Sequence, residues 1–472
     1  MTVSYQRHGD IGVIEIDNPP VNALGHAVRR GLIDALEKGI NDPQTQALVL
    51  LASGRTFIAG ADIREFGKPS HPPVLPDVVN ELEASPKPLI AVLHGTALGG
   101  GLEVALACHY RVVLEGTRVG LPEVKLGLLP GAGGTQRLPR LTGVELALDI
   151  ITSGRFVDTA EALEAGIIDA KSDAQTPLEA GLAAARNVVA GHIAPRVTGE
   201  LAPPKANPAA VAATRERLQS ETPDLFSPFR IVEAIEACTT SNTLEQGLKR
   251  ERELFLACMD SPQRAGLIHL FFAARSPHLV SGVEGATPFE RVALIGEHPL
   301  FEALSKAASR ANIALLDAPN AHTELCLIAP NAESDTCPPG AVCVMLRSVQ
   351  DDHLDTGLGL ILADTGAFHE LVDHDDDALA HQRAALTLKA LRINVVVSRR
   401  QSILATLKTA LENASESEQQ AALEIASPGI AERGECFRPA DIDLLAVEAL
   451  DYPRALGGPH RQATLSRQES SS

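Results

Sequence analysis

The chain has 472 residues, of which 45% are hydrophobic and 21% are charged, so it can form more than one hydrophobic core and has a globular composition. Its formal net charge of −19 argues against nucleic acid or an anionic membrane surface as the main partner. It contains no Trp and only 3% aromatic residues, which leaves few side chains on which bases could stack.

The cysteines and the two ends of the sequence bear on location. The seven cysteines are scattered without a CxxC pair or a metal-like Cys/His spacing, so we expect reduced buried thiols and no bound metal. Residues 1–10 are polar and lack the apolar region of a signal peptide. No uncharged apolar run reaches membrane-spanning length, and the final residues are not a peroxisomal address. These features predict a cytoplasmic location.

The first half of the chain alternates strand and helix patterns. Apolar and polar residues alternate at 13–16, a helical pattern covers 26–38, and continuous apolar runs at 47–52 and 88–94 indicate buried strands. This alternation predicts an α/β domain with parallel strand pairing over residues 1–195.

The later residues divide into three further segments. Residues 196–287 are predicted to form a linker. It contains a Pro-rich stretch and, at 231–275, a charged amphipathic stretch that is interpreted as two helices. A second α/β pattern then gives a strand at 291–296, a helix at 300–311 and a strand at 313–317, within a predicted domain at 288–398. Residues 399–472 are predicted to form a short, truncated helical domain with a disordered tail beyond Arg461.

Three segments of the first domain carry the residues suited to chemistry. They are residues 57–63, residues 97–103 with three consecutive glycines that end on Glu103, and residues 121–136 with Glu123 and a second glycine-rich helix start. Glycines let the backbone approach a ligand closely and leave free N–H groups at the start of a helix. Two loops that each offer one N–H could form an oxyanion hole.

Each segment taken alone has a more common explanation. Glu103 could complement a helix dipole, Glu123 could be a solvated loop carboxylate, and the glycine runs could be tight turns. The order of all three segments in one chain is what makes a shared site the better interpretation.

That order resembles the crotonase (enoyl-CoA hydratase/isomerase) superfamily along residues 11–169. The resemblance is carried by ALGGGLE at 97–103, Pro122-Glu123, PGAGGTQ at 130–136 and RLPR at 137–140. It implies a spiral of ββα units, and in this superfamily trimers and fused domains are common. A homo-oligomer and a thiolase partner are therefore open questions.

The resemblance also implies roles for individual residues. Ala61 and Gly100 would supply the oxyanion-hole N–H groups, and Glu103 and Glu123 would be the paired catalytic carboxylates of an enoyl-CoA hydratase. Glu123 would also suit proton transfer between C2 and C4, which is Δ3,Δ2-enoyl-CoA isomerisation. The positions implied to line the acyl-CoA site are Gly60, Gly99, Gly131, Arg55 and Arg64, the two arginines being equally well explained as surface residues.

The second half resembles the NAD-dependent 3-hydroxyacyl-CoA dehydrogenase part of multifunctional β-oxidation enzymes. Residues 227–237, 251–255, 271–275, 438–443 and 452–459 carry this resemblance. The dinucleotide loop keeps Gly296, but His298 and Phe301 replace its other two glycines. Asp317 stands about where an acidic residue would hold the ribose.

The dehydrogenase site is also altered. The motif that holds the catalytic His is replaced by the sequence GLILADT at 359–365, and Asp373 stands at the place of its partner Glu. Thr406 falls near the usual Asn, and Ser348 is a loose match to the catalytic Ser. We therefore expect a degenerate Rossmann-like domain that has lost NAD binding, with no cofactor and no metal in the chain.

Two alternatives remain open from the sequence. One is a bifunctional hydratase and dehydrogenase, which requires NAD to bind despite His298 and Phe301. The other is a non-catalytic assembly subunit that binds CoA esters, against which the intact pair of Glu103 and Glu123 counts.

Overall fold

The structure is a computed structural model that describes residues 2–62, 65, 71–316, 318–332, 334–350, 356–364 and 367–470. The chain folds into two compact units, Met1–Arg264 and Ala265–Ser472. Helices of the predicted linker at 196–287 occur in both units. The four-segment division predicted from the sequence stays a prediction.

The first unit mixes strands and helices. Its strands are β1 (Val3–His8), β2 (Ile11–Ile16), β3 (Ala47–Ala52), β4 (Leu89–Leu93), β5 (Thr96–Leu98), β6 (Tyr110–Val113), β7 (Arg118–Gly120), β8 (Val157–Asp158) and β9 (Ala170–Lys171). Its helices are α1 (His26–Asn41), α2 (Leu75–Glu83), α3 (Gly100–Ala107), α4 (Gly134–Thr142), α5 (Val144–Ser153), α6 (Thr159–Glu164), α7 (Pro177–Val189), α8 (Pro208–Glu221), α9 (Ser227–Thr240) and α10 (Leu244–Asp260).

The main sheet of this unit has the strand order β1-β2-β3-β4-β6-β9, and its pairs from β2 onward are parallel. All six residues of β3 are buried because both faces of the sheet are covered. Leu48 and Leu50 face one hydrophobic core, while Val49 and Leu51 face another, which α7 covers. The predicted parallel α/β arrangement is confirmed.

A small second sheet of this unit, in the order β5-β7-β8, positions the residues of interest. Strands β5 and β7 are parallel, with Leu98 opposite Gly120. Helix α3 follows β5, and a 3-10 helix at Pro122–Leu126 follows β7. Because parallel strands end at the same edge of a sheet, α3 and the 3-10 helix begin side by side.

The second unit contains a larger, mostly parallel sheet. Its strands are β10 (Arg291–Ile295), β11 (Ala314–Leu316), β12 (Leu325–Ile328), β13 (Val342–Ser348), β14 (Leu358–Leu362), β15 (His369–Asp373) and β16 (Val395–Arg399). Its helices are α11 (Pro262–Ala273), α12 (Pro299–Glu302), α13 (Leu304–Ala311), α14 (Ala378–Ala390), α15 (Ile403–Glu412), α16 (Gln419–Glu432), α17 (Pro439–Ala449) and α18 (Pro459–Ser470).

The strand order β11-β10-β12-β13-β14-β15-β16 places β12 directly beside β10. After β11 the chain therefore crosses β10, and β12 pairs with the other edge of β10. The predicted Rossmann-like α/β pattern and helical C-terminal region are confirmed.

Three local predictions differ from the structure. The stretch at 231–275, interpreted as two helices, belongs to three, because α9, α10 and α11 are separated by short breaks. The helix predicted at 300–311 is divided into α12 and α13 at Ala303. The tail predicted to be disordered beyond Arg461 forms α18 as far as Ser470. Within the described residues, no helix combines the length and apolar character needed to cross a bilayer.

Candidate active site

Three chain segments meet at the edge of the small sheet. Gly99 donates its N–H to Gly120 of β7, at 2.9 Å, and Leu98 donates its N–H to Ile58, at 3.0 Å. Residues 58–61 therefore run along one side of β5, while the segment that carries Glu123 runs along the other. The fold brings together all three motif segments predicted from the sequence.

Ala61 and Gly100 lie next to each other at this point. A Cβ atom built on Gly100 would lie 3.5 Å from the Ala61 nitrogen. Gly100 is the first residue of α3, where N–H groups have no partner inside the helix. Within the described residues, neither of these two amides donates a hydrogen bond to the protein. This proximity is what an oxyanion hole requires, and the role of the two amides stays a prediction.

Gly99 has a conformation that only glycine adopts readily, with φ +53° and ψ −128°. A Cβ atom at this position would lie 2.9 Å from Glu123 Oε1. Gly99 therefore lets the Glu123 carboxyl group lie against the start of α3. Glu103 lies in the first turn of the same helix, so both carboxyl groups are near one helix start.

The Glu103 side chain is held in place by a second helix start. Its Oε1 atom accepts hydrogen bonds from the N–H groups of Ala132, at 2.7 Å, and Gly134, at 2.8 Å. Burial raises the pKa of Glu103, and these two N–H groups and the charge of Arg137 oppose that rise. Its Oε2 accepts no hydrogen bond from the described residues, so this oxygen is available to a water molecule.

Glu123 has a different environment. Its Oε2 atom is inaccessible to solvent and has no hydrogen-bond partner among the described residues. Burial, followed by the negative charge of Glu103, raises its pKa well above the ordinary value. The two carboxyl groups therefore differ: burial raises the pKa of both, but N–H groups oppose the rise at Glu103, whereas the charge of Glu103 adds to the rise at Glu123.

A third buried carboxyl group, Glu251 of α10, was missed by the sequence analysis as a site residue. It accepts hydrogen bonds from the N–H groups of Gly133, at 2.6 Å, and Thr135, at 3.0 Å, and from the Thr135 hydroxyl group, at 2.5 Å. Burial and then the charge of Glu103 raise the pKa of Glu251 to about 8. Glu103 and Glu251 thus hold alternate N–H groups of one loop, and Glu251 positions the loop that positions Glu103.

The remaining predicted site residues have varied surroundings. Gly60 has φ +119° and its carbonyl oxygen accepts a hydrogen bond from the Leu24 N–H, which fixes the backbone just before Ala61. Gly131 contacts the Phe255 ring of α10, since a Cβ atom there would lie 2.5 Å from a ring carbon. Arg55 is exposed in a turn after β3. Arg64 lies outside the described residues.

The predicted dinucleotide loop of the second unit has local contacts at both positions where glycines are replaced. Gly296 keeps a positive φ of +83°, but α12 has only four residues. The His298 Nδ1 accepts a hydrogen bond from the Leu300 N–H, at 3.2 Å, which a phosphate would otherwise bind. The Phe301 side chain, only 8% exposed, is part of the hydrophobic core. His298 and Phe301 therefore have structural roles in this segment, and the loss of NAD binding stays a prediction.

The predicted dehydrogenase positions also have structural roles. Residues 358–362 form β14, and Asp373, at the end of β15, is buried with its Oδ2 3.8 Å from Nδ1 of His381. The Thr406 hydroxyl group donates a hydrogen bond to the Ser402 carbonyl within α15. Ser348 ends β13. Asp317 and Thr365 lie outside the described residues.

Comparison with known proteins places the first unit in a family. The model of the enoyl-CoA hydratase/isomerase family matches residues 6–197. A probable enoyl-CoA hydratase from Bacillus subtilis (strain 168) is 40% identical over 185 residues, which are 37% of this chain and 72% of that protein. The chain therefore belongs to the enoyl-CoA hydratase/isomerase family.

Longer relatives extend the similarity. A peroxisomal bifunctional enzyme from Danio rerio is 40% identical over 269 residues, which are 56% of this chain and 37% of that protein. The chain thus spans less than half the length of this relative. A solved structure of a carnitinyl-CoA dehydratase from Mycobacterium avium 104 is 30% identical, covers 55% of this chain and 93% of that one, and has a TM-score of 0.42.

Proposed function

We propose that this chain is an enoyl-CoA hydratase that adds water to trans-2-enoyl-CoA thioesters with syn stereochemistry, as in fatty-acid β-oxidation. The observation that carries this proposal is the position of two carboxyl groups in different environments, Glu103 and Glu123, beside two backbone amides that have no hydrogen-bond acceptor among the described residues. The family membership and the names of the relatives support the same substrate class.

The first part of the mechanism is polarisation of the thioester. The carbonyl oxygen accepts hydrogen bonds from the Ala61 and Gly100 N–H groups, which stabilise the negative charge of the enolate. This withdrawal of electrons makes C3 of the conjugated acyl group electrophilic.

The second part is the addition of water. Glu103, held as a carboxylate, binds a water molecule through Oε2 and takes its proton as the oxygen forms a bond to C3. Glu123, protonated because of its burial, gives its proton to C2, and a proton transfer between the carboxyl groups restores the starting state. In its carboxylate form Glu123 can also take a proton from C2 of a 3-enoyl-CoA and return it to C4, which supports an additional Δ3,Δ2-enoyl-CoA isomerase activity.

We further propose that the second unit does not bind NAD, so the chain lacks the dehydrogenase step of its bifunctional relatives. The support is the occupation of the loop by His298 and Phe301. A homo-oligomer and a cytoplasmic location are also proposals. The names of the Danio rerio and Brassica napus relatives are peroxisomal and glyoxysomal, so these relatives do not support a cytoplasmic location.

The test is to incubate the purified full chain with crotonyl-CoA and to identify the product by mass spectrometry, with and without NAD. We expect 3-hydroxybutyryl-CoA in both samples and no 3-ketoacyl-CoA or NADH. Absence of hydration would refute the proposed activity and favour an assembly subunit, whereas formation of NADH would refute the proposed loss of the dehydrogenase. A series of enoyl-CoA esters of increasing length would then define the acyl preference.

A further inference from the structure

Three cysteines of the second unit, distant in sequence, meet on one face of its sheet. Cys326 in β12 and Cys343 in β13 are directly opposite each other in the parallel register. Cys337 belongs to the connection between these strands, just after a 3-10 helix at Ser334–Thr336. The sulfur atoms of all three cysteines lie within 4.8 Å of one another.

The cysteine cluster lies on a face of the sheet that is incompletely covered. Parallel neighbouring strands are usually joined by a crossover helix that covers the sheet. Residues 329–341 join β12 to β13, and the described part of this connection forms only the short 3-10 helix. Cys337 belongs to the small hydrophobic cluster on this face, together with Cys326 and Cys343. Cys337 is therefore a point at which the connection contacts the sheet.

The geometry suits a thiophilic metal ion. Zinc–thiolate bonds are about 2.3 Å long, so sulfur atoms that share one ion are roughly 3.8–4.0 Å apart. The three sulfur atoms, all within 4.8 Å of one another, are therefore at most about 1 Å farther apart than this separation. Met345 lies two residues after Cys343 in β13, on the same face, and its thioether sulfur accepts a hydrogen bond from the Arg347 guanidinium, at 3.7 Å.

The protonation of the free thiols is consistent with an ion that displaces protons. Burial, followed by the neighbouring Cys337 thiol, raises the pKa of Cys343 to about 12. Burial also raises the pKa of Cys326, so these two thiols favour the neutral form in the absence of a cation, and none of the three cysteines forms a disulfide. A bound cation reverses this preference because its charge stabilises the thiolates.

We propose that Cys326, Cys337 and Cys343 bind one thiophilic d10 metal ion, Zn²⁺ or Cu⁺, which fastens the connection between β12 and β13 to the sheet. In this role the ion replaces part of the cover that a crossover helix gives other parallel sheets. The site is independent of the proposed hydratase activity, because all its ligands belong to the second unit.

The experiment uses the reduced, chelator-treated full chain and Cd²⁺ as a spectroscopic probe. We expect one Cd²⁺ to bind per chain with a sulfur-to-cadmium charge-transfer absorption. Equilibrium dialysis against Zn²⁺ and against Cu⁺, followed by elemental analysis, then distinguishes the two ions. The bound ion should also raise the unfolding temperature of the chain.

Cys337→Ser and Cys343→Ser should each abolish the stoichiometric binding and the thermal shift. The control is Cys436→Ser, which changes a buried cysteine of the same unit outside the cluster and should bind as the unaltered chain does. Hydration of crotonyl-CoA, measured in parallel, reports whether each variant remains folded in the first unit. Unchanged binding in Cys337→Ser, no stoichiometric binding by the unaltered chain, or a native disulfide within the cluster would each overturn the proposal.

Discussion

Gly99→Ala should impair hydration because it displaces Glu123 without altering either carboxyl group. The new methyl carbon would lie 2.9 Å from Glu123 Oε1, so the carboxyl group must move by several tenths of an ångström or more. Misplacement of a reacting group by about 1 Å can lower a rate roughly 10²-fold. The φ of +53° adds a backbone strain of about 1–3 kcal/mol to the loss of stability.

Gly116→Ala provides the matched control. Gly116 also has a positive φ, of +75°, but a Cβ atom added there would have open space around it, with no neighbouring atom within 4 Å. The control should therefore lose stability while its rate of crotonyl-CoA hydration stays unchanged. Thermal unfolding of both variants, measured with the hydration rate, separates strain from displacement of the carboxyl group.

A double-variant cycle tests whether Gly99→Ala acts through Glu123. If Gly99→Ala acts through Glu123, it should lower the rate little further when Glu123→Gln is already present. Equal fractional losses in both backgrounds would show that Gly99 acts by another route. A hydration rate for Gly99→Ala equal to that of Gly116→Ala would refute the position assigned to Glu123.

Three further predictions address the neighbouring groups. Glu103→Gln should lower hydration more than Δ3,Δ2 isomerisation because only hydration needs a bound water, and equal losses with crotonyl-CoA and a 3-enoyl-CoA would contradict this division. The pKa of Glu251 is about 8 in the folded chain and near 4.5 when unfolded, so the folded state holds an extra proton and its stability falls as the pH rises between these values. Glu251→Gln should therefore make the free energy of unfolding depend less on pH. Denaturant unfolding at pH 5 and pH 8 measures this dependence, and an unchanged dependence would argue against the raised pKa of Glu251. NAD at millimolar concentration should leave the unfolding temperature unchanged, whereas a clear rise would restore the bifunctional alternative.

The segments that carry the two proposed catalytic carboxyl groups were predictable from the sequence. One glycine run ends on Glu103 and a second follows Glu123, and the parallel pairing of β5 with β7 explains why the two segments meet. The α/β class was predictable for a similar reason, since continuous apolar runs such as β3 indicate strands buried on both faces.

Other features depend on interactions between distant parts of the chain. Glu251 lies in an amphipathic helix and resembles any surface carboxylate, yet it hydrogen-bonds to Gly133, 118 residues away. The cysteine cluster was also hidden, because the strand register rather than the sequence spacing brings Cys326 to Cys343. Local patterns identify an element and its buried face, but they do not identify the partner of a single polar side chain.

The central claim is that two carboxyl groups from neighbouring segments act on one thioester. The most direct test is the rate of crotonyl-CoA hydration by Glu103→Gln, Glu123→Gln and the double variant, with the binding of a CoA ester measured alongside. Each single change should lower the rate by roughly 10²–10⁴-fold with nearly unchanged binding, and the double variant should be only slightly slower than the worse single one. Hydration that persists at the original rate after both carboxyl groups are removed would contradict the account.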